Sequence, residues 1–410
     1  MGGEPLAGQG AMTLGRILIV VENLPVPLDR RVWLEATTLA QAGYQVSVIC
    51  PMGRGWDAPY EEIDGIHIYR HPAPPEAHSG ALAYAREYGH AIRHWFRLAR
   101  IVRRERGFDV IQGCNPPDLI WLLALRYRLS GVRYMFDHHD VCPELFEAKF
   151  GKKGLLWWVM RIWERITFAC ADVSMATNES FRRIAITRGG MAPEDVFVVR
   201  SAPRVETFLP GPGNPDYRRG AKTVLGYIGV IGQQEGMDLL IEAVEILIRE
   251  VGHDDLHLVV VGFGPELPNV EADVAARGLS DHVTFTGPLY GDEMLAAMNA
   301  IDIGVAPDPK NAMNDISTMN KVMEYMTLEK PLVQFELTEG RASAGDAALY
   351  ARANDPRDFA ARIAELIEAP ETGCEMGRKG RERVLEALSW DFSARRLLAA
   401  YRRIFDKMGK

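Results

Sequence analysis

The sequence predicts an α/β protein built from two doubly wound parallel sheets that face each other across a cleft. Three observations predict it. Short runs rich in β-branched residues alternate with helix-length segments, the pattern of βαβ units. The alternation breaks once, at the proline-rich, aperiodic stretch 200–216, and then restarts. A chain of 410 residues has the length for two cores rather than one.

Taken in order, residues 1–15 read as a disordered leader, because they hold no basic n-region and the apolar run after them is too short for a signal peptide. That run, Ile17–Val21, is the first strand. After the loop Asn23–Asp29, a helix over Arg31–Ala42 is closed by Gly43, and Gln45–Cys50 is the second strand. Strands at Ile66–Tyr69, Val110–Gln112, Tyr134–Asp137, Val173–Ala176 and Val196–Val199 complete a first domain over 16–204. Pro203, Pro210, Pro212 and Pro215 mark the connection to a second domain over 205–390. Its strands are expected at Val224–Ile228, His257–Val261, Val283–Thr286, Ile303–Ala306 and Leu332–Phe335. The last segment, 391–410, holds an amphipathic helix over Phe392–Phe405 that packs back on the first domain. Ligands of open parallel sheets bind outside the carboxyl ends of the strands, so the cleft is the expected site.

Composition narrows the function. Lys plus Arg number 47 against 55 Asp plus Glu, and the net charge of −8 argues against a general affinity for nucleic acid. The charge is uneven, with +3 over residues 1–204 and −11 over the rest. Five scattered cysteines without a CxxC pair point to a reducing cytoplasm, and no apolar run approaches the roughly 18 residues of a membrane span. Arg86–Arg106 carries seven arginines interleaved with Trp95 and Phe96, and Lys149, Lys152, Lys153, Arg161 and Arg165 surround Trp157, Trp158 and Trp163. Such segments suit peripheral contact with the anionic inner face of a cell membrane. The alternative is an aromatic core face with solvated cations outside it.

Two stretches carry the chemistry. Ser317 or Thr318 is expected to cap a helix that begins near Met319 and Asn320 and runs to about Leu328. Free amides at its start suit a diphosphate, Lys321 adds a charge in the first turn, and Glu324, one turn on, can accept two ribose hydroxyls. A plain Lys321–Glu324 ion pair would fit the same spacing. The second stretch, Asp137-His138-His139-Asp140, ends a strand, where His139 can offer a hydrogen bond to a ligand in the cleft while Asp140 fixes its tautomer. A metal site or an ordinary turn fits the cluster too, although no third metal ligand is evident. Gly262-Phe263-Gly264-Pro265 has Leu267 where a dinucleotide fingerprint needs a third glycine, which argues against a nicotinamide-dependent oxidoreductase.

Val259–Glu266, Leu279–Gly287, Ile301–Pro307 and Lys321–Met326 together resemble, in order and spacing, the family 4 glycosyltransferases. Leu24–Trp33 resembles the opening loop of the branch that contains many polysaccharide and O-antigen transferases. The resemblance implies the GT-B architecture of two Rossmann-like domains and retaining transfer from a nucleoside-diphosphate sugar, with UDP or GDP as the nucleotide. It implies a glycan, lipid-linked or small-molecule acceptor hydroxyl, a role in bacterial glycan or glycoconjugate biosynthesis, and neither a metal nor a cofactor. It assigns catalysis to His139, Asp140 and Lys321, and donor binding to Gly229, Gly232, Gly262, Ser317, Thr318, Met319, Asn320, Lys321 and Glu324. The chain departs from the pattern at Ile316, where the family carries a first Glu, and at Gly229 and Glu235, where it carries Arg and Lys. Lys321, the Gly229–Gly236 amides, and Arg30 or Arg31 from across the cleft, beside Asp29, are the expected replacements. Other readings are an epimerase, a non-glycosidic coupling enzyme, or a non-catalytic sugar-nucleotide-binding assembly subunit.

Overall fold

The computed structural model describes residues 14–73, 81–151 and 153–409, with only the helix given at 81–85. Residues 1–13 of the expected leader and Lys152 lie outside the described residues. The first sheet contains β1 (Arg16–Val20), β2 (Gln45–Pro51), β3 (Tyr60–Ile63), β4 (Ile66–His71), β5 (Val110–Cys114), β6 (Arg133–His138), β7 (Val173–Ala176) and β8 (Val196–Val198). Their order is β3-β4-β2-β1-β5-β6-β7-β8, parallel throughout except that β3 runs antiparallel to β4. The second sheet contains β9 (Thr223–Val230), β10 (Leu256–Phe263), β11 (Val283–Gly287), β12 (Ile303–Ala306), β13 (Leu332–Phe335) and β14 (Ala348–Ala351). It is wholly parallel, in the order β11-β10-β9-β12-β13-β14.

Both faces of the central strands are covered, which is why they read as unbroken apolar runs. In β1, Leu18 and Val20 enter one core while Ile17 and Ile19 enter the core on the opposite face. That second core also takes Leu397, Tyr401, Ile404 and Phe405 from the last helix, Trp390–Asp406, so the chain ends against the sheet where it began. The sequence reading missed two edge strands. β3 is Tyr-Glu-Glu-Ile, half exposed, and β14 is Ala-Leu-Tyr-Ala, with no β-branched residue to mark it.

The strand order reverses between β1 and β5 in one sheet and between β9 and β12 in the other, the two places where such sheets open a crevice. Contacts between the halves flank the cleft. Asn178 Nδ2 donates to the Ile316 carbonyl (2.9 Å) and to Thr318 Oγ1 (3.0 Å), and the Ser180 amide donates to Glu339 Oε1 (3.1 Å).

The interleaved aromatics of Arg86–Arg106 belong to the core, against the membrane expectation for that segment. Trp95 is fully buried and its Nε1 donates to Glu22 (2.8 Å), and Phe96 packs on the same core. The helix Leu155–Cys170 differs, because Trp157, Trp163 and Phe168 turn inward while Trp158 and Ile162 remain 60% and 56% exposed.

Candidate functional site

The first wall of the site is the end of β6. Side chains alternate along a strand, so Phe136 and His138 turn together into an aromatic cluster with Phe168 and Phe181, while Asp137 and His139 turn the other way. His138 has no hydrogen-bond partner on either ring nitrogen, and burial pushes its pKa down to about 3. His139 Nε2 lies 2.6 Å from Asp137 Oδ2. An ionised carboxylate only accepts, so Nε2 carries the proton. Asp137 thereby fixes the tautomer, not Asp140 as expected, because residues two apart share a face of the strand and adjacent ones do not. Asp140 serves through its backbone, its amide and that of His139 both donating to Asn115 Oδ1 (3.2 and 2.7 Å).

Behind His139 lies a buried charge cluster. Arg31 Nη2 donates to Asp137 Oδ1 (2.7 Å) and its Nε stands 3.1 Å from Glu35, one helical turn along. Gln112 Nε2 donates to Glu35 Oε2 (2.6 Å) and to Asp137 Oδ2 (3.2 Å), and its carbonyl accepts from the Tyr401 hydroxyl of the last helix. Burial opposes ionisation of Asp137, but Arg31 and His139 outweigh it and hold the carboxyl far below its usual range. Burial and the Asp137 charge push Glu35 up to about 8 against the pull of Arg31. Burial also disfavours the His139 imidazolium, yet Asp137 wins and raises that pKa. Glu35, Cys114, Asp137 and His139 hold their donor atoms within 4.8 Å of one another, a set able to ligate a cation. The Arg31 guanidinium already stands among these acids, so a metal would have to displace it.

The second wall is the helix Asn320–Thr327. Its N-cap is Met319, not Ser317 or Thr318, and no side chain caps it. Ser317 Oγ donates back to the Met313 carbonyl (2.8 Å), and Thr318 is taken up by Asn178 across the cleft. The first amides are left without a side-chain acceptor. Lys321 Nζ turns into the domain, donating to Asp308 Oδ1 (2.7 Å) and Glu235 Oε2 (3.2 Å) over the Tyr227 ring. Burial works against its charge, but Asp308, Tyr227 and Glu235 keep it protonated. Burial, helped by the Asp308 charge, pushes Glu235 up to about 7 despite Lys321. Lys321 is therefore paired with two acids, and Glu324 does not pair with it. Glu324 instead receives Arg30 Nη1 from the first domain at 2.7 Å.

Asp29, Arg30 and Arg31 divide the work at the start of the helix Arg30–Gln41. Asp29 is its N-cap, accepting from the Val32 amide (3.1 Å), rather than a cleft contact. Arg30 crosses to Glu324 and Arg31 runs back to Asp137. Consecutive arginines thus connect the start of one helix to Glu324 of the second domain and to Asp137 beside His139. A cavity of about 220 Å³ lies here, bordered by Arg30, Arg204, Phe208, Asn320 and Glu324. A larger one, about 500 Å³, opens in the first domain beside Glu22, Arg54, Tyr88, Lys149 and Phe150.

The glycines have mixed roles. Gly262 has a φ of +153°, and a Cβ there would fall 1.9 Å from the Gly229 carbonyl oxygen, so the neighbouring strand demands it. A Cβ on Gly229 would meet Lys321 Cε at 3.4 Å, and Gly232 begins the short turn Gln233–Glu235. Ile316 and Met313 pack on the core of the first domain, so the position where the family places an acid is an apolar contact between the halves. Asp137, Glu35, Gln112, Tyr401 and Asp308 were missed as site residues. Strand parity alone could have found Asp137; the others come from distant segments.

The family model described as "Glycosyl transferase 4-like domain" matches residues 28–202, and that described as "Glycosyl transferases group 1" matches 222–369. A 2-deoxystreptamine glucosyltransferase from Streptomyces kanamyceticus is 28% identical over 204 residues, a match spanning 48% of this chain and about half, 48%, of that protein. Among solved structures, sucrose-phosphate synthase from Thermosynechococcus elongatus superposes with a TM-score of 0.78 at 16% identity, covering 96% of this chain and 100% of that one. An Anabaena protein, HepE, in complex with UDP-glucose gives 0.67 at 13% identity, covering 95% and 99%. Matches to both domain models, the two facing parallel sheets and the shared fold identify the chain as a member of the family 4 glycosyltransferases of the GT-B fold.

Proposed function

We propose that this protein transfers a sugar, with retention, from a nucleoside-diphosphate sugar to an acceptor hydroxyl in glycan or glycoconjugate biosynthesis. The observation that carries the reading is the pair Arg30–Glu324 and Arg31–Asp137, both at 2.7 Å and made by consecutive residues at one helix start, which supports assigning His139 and Glu324 to one cleft. Glu324 is the acceptor for the donor's ribose hydroxyls, and the uncapped amides at Asn320 and Lys321 face the diphosphate. UDP or GDP is the nucleotide, and HepE, which binds UDP-glucose, lends support to the first. As the anomeric carbon–oxygen bond to phosphate breaks, the acceptor oxygen bonds that carbon on the same face, and its proton passes to the leaving phosphate. His139, held by Asp137, contributes a positioned hydrogen bond to the sugar or that phosphate. Neither a resident metal nor a cofactor is used, in keeping with Arg31 already supplying the cation in the acid cluster.

The acceptor is a glycan, a lipid-linked saccharide or a small molecule, and the protein works in the cytoplasm, peripherally on an anionic membrane face. Leu155, Trp158 and Ile162 support this: they lie three and four apart along one helix, exposed by 82%, 60% and 56%, near Lys153, Arg161 and Arg165. No described helix is long and apolar enough to cross a membrane. The test incubates the protein with UDP-, GDP- and ADP-sugars and an acceptor panel, reading nucleoside diphosphate release and the product's anomeric configuration by NMR. Release with a retained anomer is expected, and an inverted anomer overturns the mechanism.

A further inference from the structure

The cations that sequence reasoning offered to the diphosphate are committed elsewhere, with one exception. Lys321 is buried between Asp308 and Glu235, and Arg31 is buried against Asp137, Glu35, the Val199 carbonyl and Ser201. Arg30 differs. Its side chain is 65% exposed, while its partner Glu324 is only 7% exposed, so the arginine can leave without uncovering a buried cation. Its carboxylate partner among the described residues is also the group proposed to bind the donor. A ribose that takes Glu324 must therefore displace the Arg30 guanidinium, and it does so about one helical turn from the uncapped start of the helix Asn320–Thr327.

We propose that Arg30 is a donor-site residue that exchanges partners, holding Glu324 before the donor binds and passing to the diphosphate when ribose hydroxyls take its place. The proposal rests on the reading of Glu324 as the ribose acceptor. It explains how a chain with Gly229 and Glu235 at the usual basic positions can still neutralise a diphosphate. The exchange also makes recognition conditional. A nucleoside displaces Arg30 and gives the freed cation nothing in return, whereas a nucleoside diphosphate supplies both a ribose and a counter-charge. A planar guanidinium suits both partners, since it can bond carboxylate and phosphate oxygens in the same forked geometry.

The two ligands separate the exchange from a merely structural bridge. Calorimetry on the full chain would measure uridine and UDP, and guanosine and GDP, with wild type, Arg30→Ala and Arg30→Gln. For both variants the nucleoside is expected to bind roughly two- to fivefold more tightly, because an exposed competitor for Glu324 is gone. The diphosphate is expected to bind roughly 10- to 100-fold more weakly, because a charged hydrogen-bond donor is lost. Changes of opposite sign in proteins of unchanged melting temperature support the exchange. Equal weakening of both ligands, or no change in either, overturns it and leaves Arg30 a structural link between the halves. Wild type that binds neither diphosphate overturns the donor-site reading of Glu324 itself, and the exchange with it.

Discussion

Asp137 and Glu35 lie within reach of the same guanidinium, and the structure predicts that removing them will have unequal and coupled effects. Asp137 is fully buried and ionised, with Arg31 at 2.7 Å and His139 at 2.6 Å, whereas burial and Asp137 itself push Glu35 up to about 8. At pH 7 Glu35 therefore carries its proton in the folded protein, so Glu35→Gln exchanges one neutral hydrogen-bonding group for another and brings no net loss there, because the unfolded variant no longer gains from ionising. Asp137→Asn removes the cluster's charge, but it also removes the repulsion that keeps Glu35 protonated. Glu35 should then ionise against Arg31 and recover part of the loss. In the double variant neither carboxylate remains, Arg31 is left buried and unpaired, and the cost should reach about 3–5 kcal/mol, more than the two single losses together. Urea unfolding of the four proteins at pH 7 measures this. The pH dependence gives a second reading: a raised pKa stabilises at low pH and loses that stability as pH rises through the folded value. Glu35→Gln should therefore gain on wild type between about pH 5 and 8. Additive losses, or Glu35→Gln costing as much as Asp137→Asn, would refute the assignment of the cluster's charge to Asp137.

Three further outcomes are expected. Lys321→Ala leaves the buried Asp308 without its cation and should cost about 3 kcal/mol in unfolding free energy, a loss of fold stability that a purely donor-binding lysine would not produce. Glu324→Gln should weaken binding of the active nucleoside diphosphate by about 1.5–3 kcal/mol in calorimetry while leaving the melting temperature within a few degrees of wild type. Trp158→Ala combined with Ile162→Ser should lower co-sedimentation with anionic vesicles, and salt should lower it for wild type too, since exposed attraction is screened within about 8–10 Å near physiological ionic strength; wild type that ignores such vesicles at low salt refutes the membrane reading.

The sheets were legible because their signal is local. A fully covered strand such as Val259-Val260-Val261 has to be apolar at each position, and the proline-rich stretch 200–216 carries no strand or helix periodicity although Ala202 and Phe208 reach into a core. The edge strands β3 and β14 escaped because burial at an edge is one-sided or slight, and nothing forces a distinctive residue there. The site was legible only where one segment holds both partners, as at Lys321 and Glu324. Even there the pairing was different. Lys321 found Asp308 and Glu235, and Glu324 found Arg30, 294 residues away. Spacing along a helix fixes which side chains can meet within it, while burial decides which of them need a charge from elsewhere. Only the assembled cleft contains that information.

The division between Arg30 and Arg31 follows from helix geometry. Successive residues point about 100° apart, so two arginines at the start of one helix cannot serve the same partner. Asp29 caps that helix and so fixes where the divergence begins. Arg31, turned inward, ties β6 to the Val199 carbonyl and Ser201, where the connection leaves the first sheet. Arg30, turned outward, meets the second domain through an ion pair whose cation is exposed and whose carboxylate is buried. Of the two arginine links, the fully buried one therefore lies within the first domain and the half-exposed one lies between the domains. Under the proposed exchange, a donor entering the cleft breaks the Arg30 bridge and leaves the His139 network standing, since the two arginines hold different partners.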